Sequence, residues 1–119
     1  MPESRKEYVD IDKTISNLMG RKNLLAKIAR IYIRDYQNQM DQLQKSIDRE
    51  DDEEIEKAAH KVKGSLSNFS APEAFNMIQS IESKAEKDNL AGLEEDYKEF
   101  EKVMEDIAGT LKSFIEENE

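Results

Sequence analysis

From Leu93 onwards the apolar residues recur in alternating steps of four and three: Leu93, Tyr97, Phe100, Met104, Ile107, Leu111 and Phe114. Such a seam marks a long α-helix packed nearly parallel to its neighbours. A second stripe, Leu25, Ile28, Ala29, Tyr32, Tyr36, Met40, Leu43 and Ile47, keeps three- and four-residue intervals over about six turns. Two prolines and four glycines in 119 residues leave little to interrupt helix, and Ala, Leu, Glu, Lys, Gln and Met are plentiful. An all-α fold is expected.

The shorter segments complete it. Ile11, Ile15 and Leu18 suggest a short first helix over about 10–19, capped by Asp10 or Asp12 and ended by Gly20. The acidic run 50–54 suits the positive end of a helix, with Asp51 or Asp52 as cap, and that helix should run to about Phe69. Ser70-Ala71-Pro72-Glu73 then has capping-box spacing, with Pro72 placed where a first turn tolerates it. The next helix turns Ala74, Met77, Ile78, Ile81 and Ala85 inward and frays near Asp88 and Asn89. Four substantial helices with short connectors pack most simply as an up-down-up-down bundle over about 21–116, with the short helix across one end, all in one domain of residues 1–119.

A formal charge of -9, from 27 Asp and Glu against 18 Lys and Arg, argues against nucleic acid as a partner, since that affinity comes largely from cations neutralising phosphates. No apolar run reaches the length of a membrane span, and residues 1–10 lack the apolar core of a secretory signal. A cytoplasmic protein without membrane contact is expected. Cysteine is absent, there is one histidine, and no Gly-rich phosphate loop appears, so neither a metal site nor a cofactor of its own is expected. The acidic run 50–54 reads as solvated surface rather than a Mg²⁺ site.

That histidine is His60. Projected at about 100° per residue, its helix places Ile55, Ala58, Ala59, Val62, Leu66 and Phe69 on one side and His60 nearly opposite. Glu53, Glu56, Lys57, Lys63, Gly64 and Ser67 share the outward face at three-, four- or seven-residue spacings. A surface histidine alone is unremarkable. Gly64 is not, because an interior helical glycine costs about 1 kcal/mol relative to alanine. Its missing side chain leaves a flat approach one turn from the ring, and Lys63 supplies an ammonium within reach of a group attached there. An ordinary imidazole, titrating near about pH 6.5, is mostly an unprotonated nucleophile at neutral pH.

The segment Ala59-His60-Lys61-Val62-Lys63-Gly64-Ser65, followed by Ala71, Ile78, Ile81-Glu82 and Ala85, resembles the AHxLKGS signature of histidine-containing phosphotransfer domains. The resemblance spans nearly the whole chain, including Val9-Asp10 and the Gly20-Arg21-Lys22-Asn23-Leu24-Leu25 turn. It implies that His60 accepts a phosphoryl group from an aspartyl-phosphate receiver and passes it to another. Lys63 would neutralise the phosphate, Gly64 would admit the receiver, and Glu82 would orient the imidazole. The implied partners are response-regulator receiver domains, which bring the Mg²⁺ that this chain lacks, and a hybrid sensor histidine kinase. The chain itself is expected to be monomeric. Met19, Leu24 and Ile31, left over from the core stripes, are candidates for the docking surface together with Lys57, Lys61 and Ser67. Ser70 stands where the family usually has glycine, explicable as a helix cap, and Leu66 stands where a small residue is usual, explicable as core. An adaptor that binds receivers without being phosphorylated, and a plain structural bundle, are the competing readings. The adaptor has no need of a histidine at 60.

Overall fold

The computed structural model describes residues 8–118. Residues 1–7, most of the stretch read above as lacking a secretory signal, and Glu119 lie outside the described residues. Five helices follow one another: α1 (Ile11–Asn17), α2 (Lys22–Asp48), α3 (Asp52–Leu66), α4 (Pro72–Glu86) and α5 (Leu93–Glu117). No strand occurs among the described residues. Helix α2 packs on α3 and α5, and α4 also packs on α3 and α5, so the four long helices close a ring in chain order. Short connectors at 49–51, 67–71 and 87–92 reverse the chain each time, giving the up-down-up-down bundle, with α1 lying against α2.

The seam of α5 is buried throughout, from Leu93 to Phe114, and Phe100, Ile107 and Leu111 are wholly enclosed. Val103, Ala108 and Ile115 join them, which widens the seam to a face contacting two helices at once. On α2, Leu25, Ala29, Tyr32, Met40, Leu43 and Ile47 are buried, while Ile28 and Tyr36 lie half-buried at the stripe's margin. Met77 of α4 and Ala58 of α3 have the same marginal position. Buried hydroxyls find partners: Tyr97 donates to the Met40 carbonyl at 3.2 Å and Tyr32 to Met104 Sδ at 3.8 Å.

Three local readings are corrected, and two open choices of cap are decided. Helix α1 is shorter than 10–19, because the chain turns left-handed at Met19 and Gly20, where the Gly20 N–H closes on the Ile15 carbonyl at 2.9 Å. Asp10 is its cap, accepting from the Lys13 N–H at 3.0 Å. Helix α3 stops at Leu66 rather than Phe69, though Phe69 still packs edge-on against Tyr32 with ring centroids 5.1 Å apart. Its cap is Asp51, whose carboxylate accepts from the Glu54 N–H.

Ser70 does not cap α4. The N-cap is Ala71, which is buried and has no side-chain bond, and Pro72 occupies the first turn. The backbone of Ser70 is engaged elsewhere: its N–H donates to Thr14 Oγ1 at 3.0 Å and its carbonyl accepts from the Asp10 N–H at 2.8 Å. These two bonds pin α1 to the α3–α4 junction. Leu66, in contrast, lies in the core as expected.

Candidate functional site

Helix α3 buries Ile55, Ala59, Val62 and Leu66, and this fixes its rotation. His60 is thereby turned outward, with 72% of its side chain exposed. Across the α3–α4 interface, Ile78, Ile81 and Ala85 anchor α4 in the core, and Glu82 falls one residue beyond that stripe. It sits at the edge of the buried face, with 13% of its side chain exposed.

Glu82 holds both chemical groups of α3. Its Oε2 lies 2.9 Å from His60 Nδ1, and its Oε1 accepts from Lys63 Nζ at 2.6 Å. Burial raises the carboxyl's proton affinity, yet the hydrogen bonds and charges of Lys63 and His60 outweigh it and hold Glu82 below the usual carboxylate range. An ionised carboxylate only accepts, so the proton of a neutral His60 ring resides on Nδ1 and the lone pair on Nε2. Lys63 was expected as a free ammonium. It is instead half-buried and ion-paired, because the carboxylate that grips the ring lies within its reach.

The depressed Glu82 carboxyl carries a pH signature. A group with a lowered folded-state value contributes stability that is full above its unfolded value and is lost as pH falls through the folded one. Relative to Glu82→Gln, the parent's advantage in urea midpoint should therefore be constant near neutrality and shrink below about pH 4.5, the ordinary carboxyl value. A gap that stays constant into acid would show that the ionised form contributes nothing.

Gly64 is exposed, has no left-handed backbone, and a Cβ built on it would meet nothing within 4 Å. The fold itself does not require glycine there. Gly109 of α5 shares these properties, so an interior glycine is not diagnostic alone; Gly64 is set apart by standing one turn from His60. Ser67 is exposed at the end of α3, where its hydroxyl donates to the Gly64 carbonyl at 2.6 Å.

A groove between α2 and α3 borders the site. A stretch of about 970 Å³ is lined by His60, Glu54, Glu56, Lys57, Lys61 and Glu82 with Asn38, Asp41, Gln42 and Lys45 of α2 and Arg49 just after it. A second of about 160 Å³ shares Asn38, Gln42, Ala58 and Lys61 with it and adds Asp35, and a third of about 190 Å³ joins Asp35 to Ile28, Ile31, Ser65 and Asn68. Of the apolar docking candidates, Ile31 lies in this groove. Met19, 84% exposed at the turn before α2, and half-buried Leu24 do not line it. The α2 lining was missed from sequence. Asn38, Gln42, Lys45 and Arg49 do form a polar line at helical spacing, but the spacing does not say which neighbouring helix it faces.

Among the described residues no group of three His, Cys, Asp or Glu is placed to hold a metal ion, and no helix is long and apolar enough to cross a membrane. No curated protein and no solved structure gives a significant match to the chain. A family model, described as the Hpt domain, matches residues 27–114, more than half of the 119. That span takes in α3, α4, most of α2 and most of α5, and with them His60, Lys63, Gly64 and Glu82. The chain thus belongs to the Hpt domain family, whose members serve histidine phosphotransfer in phosphorelays and interact with response-regulator receiver domains.

Proposed function

We propose that Nε2 of His60 is the phosphoacceptor of this domain, taking the phosphoryl group from the aspartyl phosphate of one receiver and delivering it to the aspartate of another. The observation that carries this reading is the combination at His60: an exposed ring whose Nδ1 is held 2.9 Å from a largely buried carboxylate. Nε2 forms its bond to phosphorus as the bond from phosphorus to the aspartyl oxygen breaks, and the aspartate departs as carboxylate. The ring gains positive charge in that step, and Glu82 offsets it through the Nδ1 proton. Transfer onward is the reverse reaction on a second receiver.

Lys63 neutralises the arriving phosphoryl oxygens. In the unphosphorylated domain it rests on Glu82 Oε1, so this role requires it to leave or share that carboxylate. Gly64 provides clearance for the receiver's backbone, and Ile31, Lys57, Lys61 and Ser67 form the docking surface around it. Met19 and Leu24 extend it only if the receiver reaches the α1–α2 turn. The Mg²⁺ and acidic pocket that complete the transfer site belong to the receiver, and a hybrid sensor kinase is the upstream source. The domain acts in the cytoplasm as a monomer, where successive receivers bind transiently.

The test is to incubate the domain with a receiver carrying labelled aspartyl phosphate. Label should move to the domain and be lost in acid while surviving alkali, the behaviour of a phosphoramidate. Absence of label, or label that withstands acid, overturns the reading.

A further inference from the structure

In the resting site the Glu82 carboxylate is divided between two partners. Oε1 takes Lys63 Nζ at 2.6 Å and Oε2 faces His60 Nδ1 at 2.9 Å. A phosphoryl group on Nε2 draws Lys63 toward its own oxygens, which leaves the charge of Glu82 to the ring. The carboxylate stays in place for this, with 13% of its side chain exposed and its helix anchored by Ile78, Ile81 and Ala85.

Other charges surround the ring. Glu56, Lys57, Lys61 and Lys63 share α3 with it, and Glu86 stands one turn beyond Glu82 on α4, bonded to Glu56. Across the groove α2 presents Asp41 and Lys45, with the Arg49–Glu54 pair at its end. The two signs are evenly mixed, so no net field governs the imidazole. A single contact does: among the described residues, Glu82 alone hydrogen-bonds the ring.

The proton on Nδ1 decides how readily a phosphoryl group leaves Nε2. With that proton in place the phosphorylated ring is a cation and departs as neutral imidazole. Without it the ring has to depart as imidazolate, a far more basic and poorer leaving group. Solvent provides the proton in acid, which is the origin of the acid lability of phosphoramidates. An ionised carboxylate at Nδ1 favours the same protonated form near neutrality.

We propose that Glu82 is a positioning residue that sets the lifetime of the phosphohistidine: by keeping the proton on Nδ1 it makes His60 quick to release its phosphoryl group, to a receiver aspartate or, with no receiver present, to water. The inference rests on His60 being the phosphoacceptor and concerns how long it stays loaded. In the reaction with water, the bond from the water oxygen to phosphorus forms as the bond from Nε2 to phosphorus breaks. The electron pair of the broken bond returns to Nε2, both water protons leave on the dihydrogen phosphate anion, and the neutral ring keeps its proton on Nδ1. The domain is in this sense a fast relay rather than a store.

For the test, the parent and Glu82→Gln are loaded with labelled phosphoramidate or by a phosphorylated receiver, freed of the donor, and followed for loss of label in buffer alone. Glutamine keeps the shape, and its amide can accept from a protonated Nδ1 or donate to a bare one, so the contact survives while the charge that holds the proton is gone. At about pH 8 the variant should keep its label about fivefold longer, and the gap should close by about pH 5, below the ordinary imidazole range, where solvent protonates both rings. Ring-nitrogen NMR spectra of the loaded parent in the alkaline buffer should show Nδ1 bearing its proton, a readout that needs no variant. Equal lifetimes in the alkaline buffer, an undiminished gap in the acidic one, or a bare Nδ1 in the loaded parent overturns the proposal while leaving the phosphoacceptor reading intact. A parent that takes label from phosphoramidate but from no receiver removes both.

Discussion

His60→Gln abolishes phosphoryl uptake completely, while the domain stays folded and still binds its receiver. Glutamine offers no nitrogen nucleophile, because its amide lone pair is delocalised, and the chain has no second histidine to take over. The side chain it replaces is 72% exposed and gives up one hydrogen bond, to Glu82, so stability should change by no more than about 1 kcal/mol. The loss is therefore chemical, and circular dichroism of the variant should overlay that of the parent. Receiver binding by the variant, measured by calorimetry or a spin-down assay, should persist, since every other residue lining the groove is unchanged. Label retained by the variant would mean that another residue accepts the phosphoryl group. Acid-labile label on the parent is also what separates a working phosphotransfer domain from an adaptor that only docks.

Phe100→Ala produces the largest loss of stability of any single truncation in the bundle. Phe100 is 0% exposed and is the bulkiest of the fully enclosed side chains. It projects from α5, the helix that packs on both α2 and α4, and its truncation leaves a fully enclosed cavity. Alanine is at least as good a helix former as phenylalanine, so none of the effect arises from propensity. The expected cost is about 3–5 kcal/mol, a large fraction of the roughly 5–15 kcal/mol that holds a domain of this size together. That corresponds to a drop in thermal midpoint on the order of 15 °C. Phe114→Ala, nearer the end of α5 and slightly exposed, should cost less. A Phe100→Ala midpoint within a few degrees of the parent would show that the neighbouring helices collapse into the space.

Much of this was legible in the sequence because helical periodicity reports burial directly. The seams of α2 and α5, the rotation of α3 and the exposure of His60 all follow from which residues must face inward. Contacts between elements were harder to read. Glu82 could be suspected from family resemblance, but a surface-type residue next to an apolar stripe gives no sign of which helix it will meet. Its simultaneous grip on His60 and Lys63 depends on the registry of α4 against α3. Ser70 failed for a similar reason. Its capping-box spacing to Glu73 is a local signal, and it was overridden by two backbone bonds to α1, some 56 residues away at Thr14. Chain ends of helices were least legible, since left-handed turns at Met19, Glu50 and Asp88 fall on residues that rarely advertise them.

Those two bonds to Ser70 bear on where the cooperative unit starts. The region typical of the family begins at residue 27, inside α2. Yet Val9 is as enclosed as the centre of the bundle, and Thr14, also buried, takes the Ser70 N–H. A chain cut at residue 27 would lose more than a lead-in: it would open the lid over the turn that aligns α4 with α3. Since Glu82 rides on α4 and His60 on α3, a short helix that touches no phosphate helps to keep the imidazole in register with its carboxylate.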